Sequence, residues 1–566
     1  MNTLSRVRKL YEQWLQDPNI DNGTKEELKA IEGQEKELED RFYKDLEFGT
    51  GGLRGVIGAG TNRMNVYTVG KATQGLAQYL LENNSANPSV AIAYDSRNQS
   101  PEFALESALV LAGNGIKAYL FDSLRTTPEL SFAVRHLQAS AGIVITASHN
   151  PPEYNGYKVY GQDGGQIVAE QADRIIAQIQ TLEFANIRKL TREEAEAKGL
   201  LQWIGQAVDD DYVKAVIQVS PRPEIAKQEG AALNVVYTPL HGSGNITVRR
   251  VLQESGFSNV HVVAEQEKPD GQFSTVKSPN PEEREAFTLA IELGKKVNAD
   301  VIIGTDPDCD RMGAVVKNSE GQYEVLTGNQ SGAIMVHYLL SSLQEKNAIP
   351  SNGVIIKTIV TSEMGAEIAR SYGVEVLNTL TGFKYIGEKM SEFEQSGEHQ
   401  FLFGYEESYG YLAGTYARDK DAVVASMLIC EAAAYYKSRG QTLYGVLQEL
   451  YQQFGFYREV LESRTLKGKD GLAKIRQIME EWRQNPPSDV CGKKVKTMLD
   501  YTQGINGLPK ENVLKYRLDD DSWFCLRPSG TEPKIKVYFA VKGKTLQQSE
   551  EQMEELRRAV MSRIDD

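Results

Sequence analysis

The stretch Gly142-Ile143-Val144-Ile145-Thr146-Ala147-Ser148-His149-Asn150-Pro151-Pro152 decides how the rest of the chain is read. Its apolar run, opened by Gly142 and closed off by two prolines, has the pattern of a buried parallel strand that delivers Ser148 onto a loop. Loops at the carboxyl ends of strands are where α/β proteins put their chemistry. Ser148 beside His149 suggests a hydrolase pair. Neighbours in an extended segment point to opposite faces, however, and no G-x-S-x-G elbow surrounds the serine, so the sequence argues against a serine hydrolase. A plain turn, with Ser and Asn bonding the backbone, would account for the same residues.

Outward from this strand the chain alternates β and α patterns. Strands are predicted over 90–94, 117–121 and 142–146, with helices over 101–114 and 128–137. After an acidic helical stretch near 191–198, a second series has strands over 233–237, 260–264 and 300–304 and a helix over 281–297. A third has helices over 329–343 and 422–436 and strands over 353–358 and 374–378. The last part carries strands with helices over 472–483 and 547–563. The fold class that follows is α/β, with three successive α/β domains of mixed sheets and a smaller α+β C-terminal domain. The expected domains are residues 1–205, 206–322, 323–453 and 454–566.

A chain of 566 residues is too long for a single core. The net charge of -14 argues against nucleic acid or an anionic membrane as partner, and requires a local basic pocket for any anionic substrate. Cys309, Cys430, Cys491 and Cys525 are far apart, which indicates neither a zinc site nor a disulfide framework and fits a cytoplasmic protein. The N-terminal MNTLSRVRKLYEQWLQD lacks the apolar region of a signal peptide; Leu4, Val7, Leu10, Tyr11 and Leu15 trace a helix face instead. The longest apolar stretch, near 422–430, falls short of the about 20 residues needed to span a bilayer.

Four further strings carry chemistry. In Phe48-Gly49-Thr50-Gly51-Gly52-Leu53-Arg54-Gly55, clustered glycines let amides converge on an anion and Arg54 can grip a phosphate. In Thr305-Asp306-Pro307-Asp308-Cys309-Asp310-Arg311, alternate residues of an extended segment offer three carboxylates to one hard cation, for which Mg²⁺ is suited. An EF-hand is excluded, because Arg311 and Lys317 stand where it needs Gly and Glu. Gly404-Tyr405-Glu406-Glu407-Ser408-Tyr409-Gly410 presents a carboxylate and a hydroxyl on a Gly-flanked loop, as recognition of sugar hydroxyls requires. In Arg527-Pro528-Ser529-Gly530-Thr531-Glu532-Pro533-Lys534, one guanidinium, two hydroxyls and an amide form a nest for phosphate. Gly543-Lys544-Thr545 lacks the upstream glycine of a P-loop, and 241–244 lacks the third glycine of a dinucleotide fingerprint.

Together with Thr146–Lys158, TASHNPPEYNGYK, these strings resemble, in number and order, the motifs of the α-D-phosphohexomutases, the phosphoglucomutase and phosphomannomutase superfamily. The resemblance implies four domains and a serine that donates a phosphoryl group to a sugar phosphate and recovers it. Ser148 would be that donor and would share the Mg²⁺ with Asp306, Asp308 and Asp310; Arg54, His149, Lys158 and Arg311 would surround the transferring group. Gly382-Phe383-Lys384 resembles the family's specificity loop, and Glu406 and Ser408 would hold ring hydroxyls, with Tyr405 standing where many relatives have Gly. Lys420 matches a lysine that assists proton transfer in some members; Arg527, Ser529, Gly530 and Thr531 would clamp the phosphate not being transferred. The implied activity interconverts glucose 1-phosphate and glucose 6-phosphate, with glucose 1,6-bisphosphate as intermediate and activator. Its rivals are phosphopentomutase or phosphomannomutase activity, and a non-catalytic sugar-phosphate sensor; the oligomeric state is not indicated.

Overall fold

The computed structural model describes residues 3–49, 51–83, 87–466, 468–529 and 534–565. Four sheets follow one another along the chain. In the first, six strands run in the spatial order Gly52–Val56, Tyr154–Gly161, Ala141–Ile145, Ser89–Tyr94, Lys117–Phe121 and Leu201–Ile204. Ala141–Ile145 is buried throughout, as its unbroken apolar pattern demands. It pairs parallel with Ser89–Tyr94 on one side and antiparallel with Tyr154–Gly161 on the other, so the sheet is mixed.

The second sheet has the order Tyr323–Val325, Met312–Lys317, Val301–Thr305, Val235–Thr238, Val260–Val262. Tyr323–Val325, just after the expected boundary at 322, pairs with Met312–Lys317. The third is Glu375–Thr379, Gly353–Thr358, Gln400–Glu406, Gly410–Ala413. The fourth, from Phe456–Thr465 to Asp489–Val490, is antiparallel throughout and packs against Gly468–Gln484 and Leu546–Asp565. Three mixed α/β units and an antiparallel C-terminal unit are the fold class the sequence indicated.

The apolar stretch near 422–430 is the start of the helix Ala422–Lys437, buried from Ala422 to Tyr436 at the junction of the second and third domains. Asp421 caps it, accepting from the amides of Val423 and Val424 at 2.7 and 3.1 Å. At the other end of the chain, Val7, Tyr11 and Trp14 of Thr3–Gln16 pack on Phe42 and Ile20.

One predicted helix is shortened. The stretch over 281–297 is α-helical only across Thr288–Val297, preceded by the 3₁₀ turn Arg284–Phe287. Asn280 Oδ1 accepts from the Glu282 amide at 3.1 Å, and this local side-chain turn competes with helix. Asn280 and Glu282 are thereby left facing the central cavity.

Candidate active site

A cavity of about 590 Å³ opens between the four domains, within the usual size for a small-ligand site. Arg54, His149 and Gln166 line it from the first domain, Asn280, Glu282 and Arg311 from the second, Glu406 and Lys420 from the third, and Arg527 and Lys536 from the fourth.

At its floor, the strand Val301–Thr305 ends in the Asp306–Asp310 loop. One carboxylate oxygen from each of Asp306, Asp308 and Asp310 lies within 4.8 Å of the others, and all three residues are buried. Ser148 Oγ donates to Asp306 Oδ2 at 2.7 Å, so the serine loop and the aspartate loop meet in one place. Asp308 accepts from Thr127 Oγ1 at 3.0 Å and from Lys158 Nζ at 2.9 Å; Asp310 Oδ2 forms an ion pair with Lys420 Nζ at 3.1 Å.

Burial, then the neighbouring Asp308 and Asp310, push the Asp306 carboxyl well above the usual carboxylate range. At Asp308 burial acts the same way but is outweighed by Lys158, which holds that carboxyl below its usual value. Asp308 Oδ1 and Asp310 Oδ1 are sealed from solvent with no hydrogen-bond partner among the described residues. Two orphaned carboxylate oxygens beside a third carboxylate fit a hard divalent cation, whose charge would replace the missing partners. Cys309 takes the opposite direction and lies in the core, where burial raises its thiol well above the usual range.

The expectation that His149 turns away from Ser148 is overturned: its Nδ1 lies 3.1 Å from Ser148 Oγ. The segment is not extended there, because Ser148 has a φ of 51°, and the turn folds the ring back beside its neighbour. Burial, reinforced by Arg311, lowers the imidazole's pKa far below its usual value and keeps it neutral at neutral pH. Ser148 Oγ directs its proton to Asp306 Oδ2 and not to the imidazole, which again disfavours a hydrolase.

Lys158 lies on an interior strand, not a solvated edge, and its Nζ is also 3.6 Å from Asp310. Burial opposes its charge, but Asp308 and Asp310 outweigh burial and raise its pKa. Arg54 projects from Gly52–Val56 and donates to Asn150 Oδ1 at 3.3 Å. The glycines before it also make close backbone approaches. Gly49 and Gly52 bond each other's backbone, and a Cβ at Gly52, with φ 144°, would strike the Tyr157 carbonyl.

The sugar-side residues come from the third domain. Glu406 ends the strand Gln400–Glu406, is buried, and accepts from the Gly382 amide at 2.9 Å; Gly382, Phe383 and Lys384 open the helix Phe383–Ser396. Arg311 donates to Glu282 Oε1 and to the Ser408 carbonyl, and an isolated bridge joins it to Gly410. The aspartate loop and the Glu406 hairpin are thus tied together through the backbone. Tyr405 alternates with Glu406 and points into the core, its ring against Gly332 and Gly365, so the departure from glycine there does not reach the cavity.

On the far wall, Arg527 lies on Trp523–Pro528 and donates to Glu511 Oε1 at 3.2 Å. Ser529 follows it, its amide bonded to the Lys534 carbonyl at 2.7 Å; Gly530 and Thr531 lie outside the described residues. Lys536 is the cross-strand partner of Arg527 and lines the same wall. Burial and then Arg527 lower the Lys536 pKa; at Lys384 burial lowers the pKa and Arg527 adds to it, against the pull of Glu511. Like charges directly opposite on a sheet are unfavourable without an anion between them.

Sequence reasoning missed Lys536, Asn280 and Glu282. Only the first left a signal, since it lies on the strand that follows the phosphate-nest string and pairs with Arg527 on the strand before it.

Comparison with known proteins agrees with this arrangement. Family models for phosphoglucomutase/phosphomannomutase match in succession: alpha/beta/alpha domain I over residues 45–186, domain II over 210–321, domain III over 327–454 and the C-terminal domain over 467–559. A phosphoglucomutase of Staphylococcus epidermidis is 40% identical over 520 residues, 89% of this chain and 92% of that protein. The open form of the Paramecium phosphoglucomutase pp63/parafusin superposes with a TM-score of 0.71 at 18% identity, over 92% of this chain and 95% of that one. A putative phosphomannomutase from Thermus thermophilus gives 0.68 at 22% identity, over 92% and 100%. At those identities the two structures speak to the fold alone.

Proposed function

The chain belongs to the phosphoglucomutase/phosphomannomutase family, and on that premise we propose that it interconverts glucose 1-phosphate and glucose 6-phosphate through phosphorylated Ser148 and a glucose 1,6-bisphosphate intermediate. It is an isomerase-class phosphotransferase. The observation that carries the reading is the contact of Ser148 Oγ with Asp306 Oδ2 at 2.7 Å, at one end of a cavity whose other end is lined by Arg527 and Lys536.

Asp306, Asp308 and Asp310, with an oxygen of the phosphorylated serine, would hold Mg²⁺, which supplies neutralisation of the charge that develops on the transferring phosphoryl oxygens. The rest of the work falls to the protein. Arg54, Lys158 and Arg311 add positive charge around the phosphoryl group, and His149 donates to the serine oxygen. Glu406 and Ser408, with Gly382, Phe383 and Lys384 beside them, orient the sugar ring so that one hydroxyl faces the serine. The bond from phosphorus to Ser148 Oγ breaks as that from phosphorus to the sugar oxygen forms, and the proton of the sugar hydroxyl ends on Ser148 Oγ, with Lys420, kept charged by Asp310, beside the exchanging oxygens. Arg527, Ser529, Gly530 and Thr531 grip the distal phosphate. The bisphosphate then turns end for end and the serine recovers a phosphoryl group.

A ³¹P NMR time course tests the reading, using purified protein, Mg²⁺, trace glucose 1,6-bisphosphate, and the 1-phosphates of glucose, mannose and ribose in separate tubes. Fastest conversion of the glucose compound to its 6-phosphate supports it. Conversion of only the mannose or ribose compound reassigns the sugar, and no conversion with Ser148 phosphorylated points to a sensor.

A further inference from the structure

Arg97 follows the strand Ser89–Tyr94 and runs beneath the serine loop, with 1% of its surface exposed. Its Nη1 donates to the carbonyls of Pro151 at 2.9 Å and Tyr154 at 3.0 Å; its Nη2 donates to those of Ser148 at 2.6 Å and of Asn150. Every Nη proton is spent on the backbone of residues 148–154. Nε faces Asp95 Oδ2 at 3.5 Å, and Asp95 Oδ1 accepts the Arg97 amide at 2.9 Å. The guanidinium is therefore fixed from behind.

From the other side, the second domain closes over it. Phe273 lies with its ring 5.0 Å from the guanidinium carbon, on a loop shaped by Asp270, which accepts from the amides of Gln272 and Ser274. Asn98 Nδ2 reaches the Gly271 carbonyl at 3.4 Å in the same contact. The Arg97 side chain thus connects the serine loop to the domain that carries the three aspartates.

The loop needs such a clamp. Four carbonyl dipoles converge on one point, which is unfavourable without a cation, and Ser148 holds a φ of 51°, a strained conformation for a residue with a Cβ. A planar fork of four Nη–H donors matches this set; the three donors of a lysine, carried on one nitrogen, do not. We infer that Arg97 is a positioning residue for phosphoryl transfer: it fixes the serine loop so that Ser148 Oγ meets the aspartates, with Phe273 setting the guanidinium from the second domain.

The inference rests on the phosphoserine reading, and the test separates the two. For wild type, Arg97→Lys and Phe273→Leu one measures kcat, KM for glucose 1-phosphate, the melting curve, and the rate at which Ser148 takes phosphate from glucose 1,6-bisphosphate by quenched-flow mass spectrometry. In folded Arg97→Lys, kcat and the loading rate should fall together by about 100-fold, as for a misplaced reacting atom, with KM within about threefold. Phe273→Leu, which keeps the guanidinium and removes the ring, should lower the loading rate by roughly fivefold. A merely structural role would lower melting without slowing the loading step of the folded fraction. Loading at the wild-type rate in folded Arg97→Lys overturns the inference. If that variant does not fold, an unchanged loading rate in Phe273→Leu does so. A wild-type protein without mutase activity overturns the underlying reading, and this inference with it.

Discussion

The two ends of the central cavity are built on opposite principles. At the serine end, Asp306, Asp308 and Asp310 are matched closely by Lys158 and Lys420, the carboxylates are buried and the lysines partly so, and two carboxylate oxygens are left without a partner among the described residues, as suits a cation. At the distal end, Arg527, Lys536 and Lys384 stand together with Glu511 as the carboxylate paired to Arg527, an excess of positive charge that suits an anion. One end is arranged for charge to pass through it, the other to hold charge still. A mutase whose intermediate must present either phosphate to one serine requires this asymmetry: chemistry at one end, and a grip indifferent to which phosphate it holds at the other.

The largest effect that could break the comparison is at Ser148. Ser148→Ala should leave no measurable turnover while the melting curve stays within a few degrees of wild type, since a loop serine carries little of the core. Retained mutase activity would remove the serine from the chemistry and dissolve the distinction between the ends.

Next comes the distal grip. Arg527→Ala should raise KM for glucose 1-phosphate by roughly 30- to 100-fold, the worth of charged hydrogen bonds, with kcat within about threefold. A fall in kcat with KM unchanged would mean that Arg527 belongs to the reacting end. Lys536→Gln sharpens the same point with a smaller change, a rise in KM of about tenfold. An unchanged KM would show that the cross-strand lysine is neutral in the complex and takes no part in holding phosphate.

The smallest effect is on stability. Glu459 lines the distal wall with Oε1 sealed and unpartnered, and burial raises its carboxyl from 4.5 to about 7. Between those values the folded chain keeps a proton that the unfolded chain releases, so stability is lost as pH rises from 4.5 to 7 and the loss persists above. Glu459→Gln should therefore raise the Tm by about 1–3 °C at pH 8 and much less at pH 4.5. Equal shifts at both pH values would contradict the assigned cause.

What was legible in the sequence was what lies close together along it. The three aspartates sit on alternate residues directly after an apolar strand, and spacing alone brought them together. The serine's strand was equally readable, yet its meeting with Asp306 spans 158 positions and came only from resemblance to a family. His149 was misjudged because alternation applies to extended chain, and the positive φ of Ser148, on a loop whose carbonyls meet Arg97, is not announced by the local sequence. Glu282 was hidden for a related reason: an acidic, helix-like stretch was read as one helix, when a side-chain turn at Asn280 had already broken it. Arg97 gave no sign at all. A lone arginine after a strand reads as a solvated side chain until the loop it holds is folded over it.

The central claim is that the phosphoryl group lost by the serine is the one that appears on the sugar's other end. The direct test loads Ser148 with ³²P and mixes the protein with excess unlabelled glucose 1-phosphate for a single turnover, then separates products and digests the protein. The label is expected on O6 of glucose 6-phosphate, with Ser148 again phosphorylated but unlabelled. Label that stays on Ser148 while the sugar isomerises, or that leaves as inorganic phosphate, would contradict it.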